Sequence, residues 1–309
     1  MRLLGSELTL HKLEVFSTVA RLESVTRAAE SLHIAQPVVT AHIRSLEEKL
    51  GVRLTMRHGR RIRITPDGER VLAWAEDVIS RTHELERELT DTKSGGQGSA
   101  VIATSMTIGS YVIPLKLVEF RRSAPNGVIS VLTGTPRTVF EAIREGRADF
   151  GVSILDPQQD VAGLDVEAIG SDELVLVCKP GGKFDRPNLK PKALETLPFV
   201  AAQGNTARRD VEDSALLKIG VARRNYVLEF GHGEAMMRAV RTDVGLAFLF
   251  KSSIVEELEN RSLKIISLKD FRIDVAIYLI KRSGKYFSSF QSKLFEFIRE
   301  GFSSDAQGA

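Results

Sequence analysis

Gln36 and Arg44 stand two helical turns apart in the sequence, and Arg53, Arg57, Arg60, Arg61 and Arg63 follow them with no acidic residue between Lys49 and Thr65. A glutamine amide can pair with an adenine edge through two hydrogen bonds, and an arginine can reach guanine or a phosphate. A dense run of guanidinium groups neutralises phosphates without regard to sequence. These residue types in this order point to duplex nucleic acid. The neighbours Pro37, Val38 and Ala41 are small and apolar, so they can only touch thymine methyl groups. With so few polar readers, much of the selectivity is expected from A/T-rich shape, with a wing arginine in the minor groove.

Two short helices must present these groups. Ala28, Ala29 and Leu32 give one an apolar face; Val39, Ile43, Leu46 and Leu50 recur at helical spacing and give the second its own. Only His33, Ile34 and Ala35 lie between them, which makes a tight corner plugged by Ile34, a helix-turn-helix. Pro37 suits the first turn of the second helix, where its missing N–H would have no partner anyway. The face turned away from the core then carries Pro37, Ala41 and Arg44, flanked by Val38 and Thr40. Thr26 and Arg27, opening the first helix, are further candidate DNA contacts. A helix pair within a larger helical core is the other reading. The ribbon after it weighs against that, since its basic residues alternate with Leu54, Ile62 and Ile64 around a turn at His58-Gly59, a wing beside the reading helix.

The charge is uneven. Residues 1–65 carry eleven Lys/Arg against six Asp/Glu, a local +5 in a chain whose total is +3. The positive field is confined to one end, as expected if that end alone meets DNA. Residues 8–22 supply a first supporting helix, so residues 1–65 form a predominantly helical winged domain.

At Thr65-Pro66-Asp67 the character changes: a cap, a proline at the first helical position and acids at the positive end of the helix dipole. Val71, Ala75, Val78, Thr82, Leu85 and Leu89 then follow alternating steps of four and three, a heptad seam. Between residues 66 and 92, eight acidic and three basic side chains cover the other faces. A stripe this narrow predicts a partner helix, hence a homodimer through residues 66–93, in preference to packing on its own domain. Residues 94–99 read as a flexible hinge.

Beyond the hinge, strand and helix alternate, which predicts an α/β domain with a largely parallel sheet. Residues 100–162 and 269–303 are expected to form one subdomain and residues 163–268 a second. Where strands lead into helix N-termini, backbone N–H groups and the helix dipole suit a small carboxylate or other anion as effector. Ser105, Met106 and Thr107 follow the first strand, Thr135 and Pro136 the next. Asn205 and Thr206 precede a helix in the second subdomain, Arg208 could pair with a charged ligand, and His232 opens another helix. Each has a plainer reading, with Thr135 and Thr206 as caps, Arg208 solvated and His232 in a turn.

Several classes are set aside. The longest apolar runs are far too short to span a bilayer, and residues 1–12 are too polar for a secretory signal, so a cytoplasmic protein is expected. The one cysteine, Cys178, can close no internal disulfide and build no metal site, and it sits in an apolar strand. There is no G-x-S-x-G, P-loop, H-E-x-x-H or dinucleotide fingerprint. A DNA-bending architectural protein without a ligand, or less plausibly an α/β enzyme, remains the alternative.

Residues 24–68 resemble LysR-type transcriptional regulators. The pattern Ser24-x-Thr26-x-Ala28-Ala29-x-x-Leu32, Gln36-Pro37, Ile43-Arg44-x-Leu46-Glu47 and Leu50-Gly51 stands at the family's spacing, continued by Arg57-x-x-Arg60 and Thr65-Pro66-x-Gly68. The resemblance extends more loosely through Pro114, Phe120, Pro125, Gly146-Arg-Ala-Asp149 and Val244-Gly245. It implies a winged helix-turn-helix, a long dimerising helix and an effector domain of two α/β subdomains like those of periplasmic binding proteins. It also implies homotetramers on interrupted A/T-rich palindromes, contact with RNA polymerase, a small-molecule co-inducer in the interdomain cleft and no other cofactor. The chain departs from the pattern at Ala35, where a capping Ser is usual, at Ala41, where many members carry Arg, and at Thr55, where most have Phe.

Overall fold

Thr9 begins the first helix of the computed structural model by accepting from the Lys12 N–H at 3.4 Å, and α1 (Leu10–Leu22) follows. The structure describes residues 8–58, 61–93, 98–155, 159–187, 189–204, 206–268 and 271–305. Arg60, Asn205, the Gly59 half of the expected ribbon turn and most of the hinge (94–97) lie outside the described residues, as do the side chains of Arg57 and Arg61.

Buried residues occur on two sides of α1. Val15 and Val19 meet Ala28, Ala29, Val39 and Ile43, with Ile34 and Ile62 packed against them. Apart from Ile34, in the corner between the helices, these partners belong to α2 (Val25–Leu32), α3 (Gln36–Leu50) and the ribbon of β1 (Thr55–His58) and β2 (Arg61–Ile64). Ser24 caps α2, and His33 ends it in the left-handed conformation, its N–H returned to Ala29 and Glu30. Ala35 caps α3 with no side-chain hydrogen bond, and Pro37 sits in the first turn. The ribbon pairs antiparallel from Thr55–Ile64 to His58–Arg61.

The opposite side of α1 meets α4 (Pro66–Lys93), and here the expected dimer seam divides. Ala75 is fully buried with Leu13, Phe16, Leu46, Leu54 and Ile79, while Val71, Leu72 and Val78 pack against that cluster. Leu72 and Ile79 widen the stripe to that of an ordinary globular helix. Thus Val71, Ala75 and Val78 close the core of their own protomer, a correction to the seam. Thr82 donates its hydroxyl to the Val78 carbonyl at 2.9 Å. Leu85 and Leu89 are 54% and 56% exposed.

The second unit contains β3 (Ser99–Ser105), a π-helical turn (Ile108–Val112), α5 (Ile113–Ser123), β4 (Val128–Gly134), α6 (Pro136–Arg144) and β5 (Phe150–Ser153). The chain crosses on β6 (Leu164–Cys178) to β7 (Pro198–Ala202), α7 (Ala207–Lys218), β8 (Asn225–Phe230), α8 (Gly233–Arg241), β9 (Ala247–Phe250), α9 (Val255–Glu259) and β10 (Lys264–Ile265). It returns on β11 (Asp274–Arg282) to α10 (Ser289–Asp305).

The main sheet runs β10-β6-β11-β5-β3-β4, with β9 also on β6. It is mixed, which corrects the expectation of a largely parallel sheet. β3 runs parallel to β4 and β5, but the outgoing strand β6 and the returning β11 lie side by side and so must oppose each other. β6 changes lobe along its length: Leu164–Glu173 pair with β11, and Leu174–Cys178 pair with β9 and β10. The crossover therefore lies at Leu174, inside the stretch 163–268 expected to belong wholly to the second subdomain. Asp149 of the Gly146-Arg-Ala-Asp149 segment is buried, accepting from the Val101 N–H at 2.8 Å and from Lys285 at 3.4 Å. Among the described residues, no helix is long and apolar enough to cross a membrane.

Candidate nucleic-acid interface and ligand cleft

The exposed face of α3 carries Gln36, Pro37, Val38, Ala41 and Arg44. Thr40 is partly buried, its hydroxyl donating to the Gln36 carbonyl at 3.1 Å. Gln36, Pro37, Thr40, Ala41 and Arg44 border one shallow groove together with Ser45 and Glu48. Thr26 and Arg27 are exposed at the start of α2, as are Arg53 and Arg63 on the ribbon side.

Glu47, part of the family pattern but given no role from the sequence, fixes the ribbon to this helix. Glu47, buried in α3, accepts from the Leu54 N–H at 2.9 Å, the Thr55 N–H at 3.1 Å and the Thr55 hydroxyl at 3.2 Å. It also pairs with Arg53 at 3.3 Å. Thr65 ties the second strand at the same end, donating to the Arg53 carbonyl at 2.6 Å and accepting from the Gly68 N–H at 2.9 Å. A Cβ on Gly68 would stand 2.2 Å from the Leu54 carbonyl oxygen, so this close approach requires glycine.

In the second unit, Ser105, Met106, Thr107, Thr135, Pro136, Thr206, Arg208 and His232 all line one cleft of about 340 Å³. The first lobe contributes the end of β3 and the N-terminus of α6, and the second contributes the N-termini of α7 and α8. The threonines act as caps: Thr135 accepts from the Thr138 N–H and Thr206 from the Arg209 N–H, both at 3.3 Å. His232 caps α8, its Nδ1 accepting from the Ala235 N–H at 3.4 Å.

Arg208 is not solvated. Its Nε donates to Glu212 at 3.1 Å, another nitrogen donates to the Phe248 carbonyl, and its guanidinium lies over the Phe250 ring. Glu212, 1% exposed, also accepts from Arg224 at 2.9 Å. Burial works against the charge of Arg224, but Glu212, Asp213 and Tyr226 outweigh it and hold its pKa above the ordinary value. Arg208 is thus fixed from behind by a buried ion pair, and a Cβ on Gly233 would stand only 3.4 Å from its Nη1.

Two more features of the cleft region were not anticipated. Asp172, on β6 just before the crossover, is the one acidic side chain among the described residues lining the cleft. Burial pushes its carboxyl up, opposed by hydrogen bonds from Ser252 and Glu173. Tyr111, from the first lobe, donates to Glu234 on α8 at 3.1 Å, and burial together with Glu234 pushes the phenol up to about 12. Cys178 is buried, and its thiol is pushed up to about 11, chiefly by desolvation, so it is no thiolate at neutral pH.

Residues 10–69 match the family described as bacterial regulatory helix-turn-helix protein, lysR family, and residues 93–303 match the LysR substrate binding domain. The chain is 30% identical over 296 residues to the "Probable RuBisCO transcriptional regulator" of Thalassiosira pseudonana, covering 94% of this chain and 95% of that relative. Among solved structures, full-length CbnR complexed with its target DNA superimposes with a TM-score of 0.55 at 22% identity, over 96% of this chain and 100% of that one. The regulatory domain of CcmR from Synechocystis PCC6803, in complex with 2-PG, gives 0.59 at 19% identity, over 66% of this chain and 97% of that one.

Proposed function

The chain belongs to the lysR family of bacterial regulatory proteins, and from that premise we propose how this transcriptional regulator reads DNA and senses its effector. It binds an interrupted A/T-rich palindrome in the cytoplasm through α3 and the β1–β2 ribbon. Its effect on RNA polymerase is set by a small carboxylate or other anion in the cleft, with no further cofactor. The observation that carries the proposal is the convergence of Arg208, Ser105 and the N-termini of α6, α7 and α8 on one cleft. A fixed, largely buried guanidinium beside helix N-termini at a cleft suits an anion. A purely architectural protein has no use for such a cleft, and the relatives are named as regulators, not enzymes.

Homodimers and homotetramers are supported by apolar side chains left outside the cores. Leu85 and Leu89 stand on α4, Leu115 and Val118 are 75% and 61% exposed on α5, and Leu217 is 64% exposed on α7. Strands β4 and β8 are each at a sheet edge, where a second copy can pair.

On the DNA side, Gln36→Ala is expected to flatten the preference among A/T-rich sites, losing about 1–3 kcal/mol of discrimination, while Arg63→Ala weakens all sites alike and lowers the salt slope by about one. Fluorescence anisotropy over a set of operator variants at several salt concentrations separates the two; an Arg63→Ala protein that changed only site preference would contradict the assignment. On the effector side, thermal shift against a panel of small carboxylates should show ligands that stabilise the wild type and lose that effect in Arg208→Ala. A variant stabilised as strongly as the wild type would remove Arg208 from the site.

A further inference from the structure

We propose that the effector carries, at the end away from its anion, a hydroxyl or ammonium group that donates to Asp172, and that Asp172 turns away ligands with a second anion there. The proposal rests on the reading of the cleft as an anion site and goes on to say what the rest of the ligand must be. Asp172 Oδ1 already accepts from the Glu173 N–H at 2.8 Å and from the Ser252 N–H at 3.3 Å, and Oδ2 accepts from the Ser252 hydroxyl. Two of these partners are backbone N–H groups that can only donate, so the carboxyl is held as an acceptor. A carboxylate offers about four lone-pair positions, which leaves one on Oδ2 unfilled.

The side chains that line the cleft from the neighbouring strands β9 and β11, and from just past β5, are Phe250, Ile277 and Ile154, which can neither donate nor accept. The ammonium of Lys251 pairs with Glu173 at 3.9 Å. The remaining position on Asp172 is therefore one that a ligand's donor can fill, and a second ligand anion would meet an oxygen already held as an acceptor between apolar walls. Arg208 lies in the second lobe on α7, whereas Asp172 lies on the strand that joins the lobes. Arg137 on α6 also borders the cleft, but its side chain is 71% exposed and pairs with Glu141 at 3.1 Å, so the cleft presents the fixed cation Arg208 and the acceptor Asp172 from different elements, a polarity that selects a ligand with an acceptor at one end and a donor at the other.

Calorimetric titration of the full-length protein with 4-hydroxybutyrate, 4-aminobutyrate and succinate tests this, because the three share a four-carbon chain and one carboxylate and differ at the far end. The wild type is expected to bind at least one of the first two about tenfold or more tightly than succinate. Asp172→Asn keeps an acceptor for the two N–H groups, so the fold is retained, as a thermal melt will verify, and the ordering should collapse to within about threefold. Succinate binding as tightly as both of the others to the wild type, or an ordering unchanged in Asp172→Asn, would overturn the proposal. Arg208→Ala separates this from the anion reading. Loss of all three ligands there supports that reading, and wild-type affinity there sinks it while leaving the Asp172 ordering legible. A wild type that takes up none of the three overturns both.

Discussion

Glu212→Ala is expected to destabilise the protein by about 3–5 kcal/mol, a fall of about 10 °C or more in the melting temperature of a unit this size, and to abolish the response to effector. Its side chain is 1% exposed and bridges Arg208 at 3.1 Å and Arg224 at 2.9 Å. Truncation leaves Arg224, itself 2% exposed, with Asp213 as its remaining acidic partner among the described residues. Removing one member of a buried pair leaves the other charge desolvated, and that residual charge is the main source of the cost. Arg208 meanwhile loses the contact that fixes its guanidinium at the cleft.

Two further variants separate these consequences. Glu212→Gln can still accept from one arginine, but its amide must point N–H groups at the other, so it should rescue little. Adding Arg224→Leu to Glu212→Ala removes the stranded charge and fills part of the space between Phe199 and Phe248, over which Arg224 lies. Stability should partly return while the effector response does not. Thermal melts with and without a stabilising carboxylate read both quantities, and a Glu212→Ala protein within about 1 kcal/mol of the wild type would show that the pair is not a keystone of this lobe.

The local features were legible in the sequence, and those that depend on distant partners were not. The helix-turn-helix can be read from a period of 3.6 and a three-residue corner, both contained within Ser24–Leu50. The cleft residues could be found because each marks a junction between a strand and a helix, a local signal. Asp172 carries no such mark. It lies in the half of β6 that alternates polar and apolar residues without a strong run, and its partner Ser252 is eighty residues away. The first half of the seam on α4, Val71, Ala75 and Val78, packs within its own protomer for a related reason. A narrow stripe predicts a partner helix, but that helix is α1 of the same protomer, and Leu72 and Ile79 complete the face that meets it. The mixed sheet also follows from topology alone, since nothing in the composition of β11 says that it returns beside β6.

Glu47→Ala is expected to weaken DNA binding at every site by about ten- to a hundredfold and to lower the salt slope, although Glu47 touches no groove-facing residue of α3. The carboxylate is the common acceptor for two backbone N–H groups, a hydroxyl and Arg53 at the root of the ribbon. Without it the buried Leu54 N–H loses its acceptor, at about 1–3 kcal/mol, and the part-buried Thr55 N–H loses its own. The cheapest escape is for the strand to swing away from α3. That swing carries the ribbon's arginines with it, so phosphate contacts are lost together while the recognition face keeps its shape. The signature is therefore uniform weakening with preserved preference among sites, the opposite of that expected for Gln36→Ala. Thr55→Val provides the graded control, since it removes only the hydroxyl bond at 3.2 Å and should cost about 1 kcal/mol. Anisotropy titrations at several salt concentrations, with circular dichroism confirming a folded domain, decide the matter. Unchanged affinity and an unchanged salt slope in Glu47→Ala would mean that the ribbon is positioned by its apolar contacts alone, through Ile62 and Ile64.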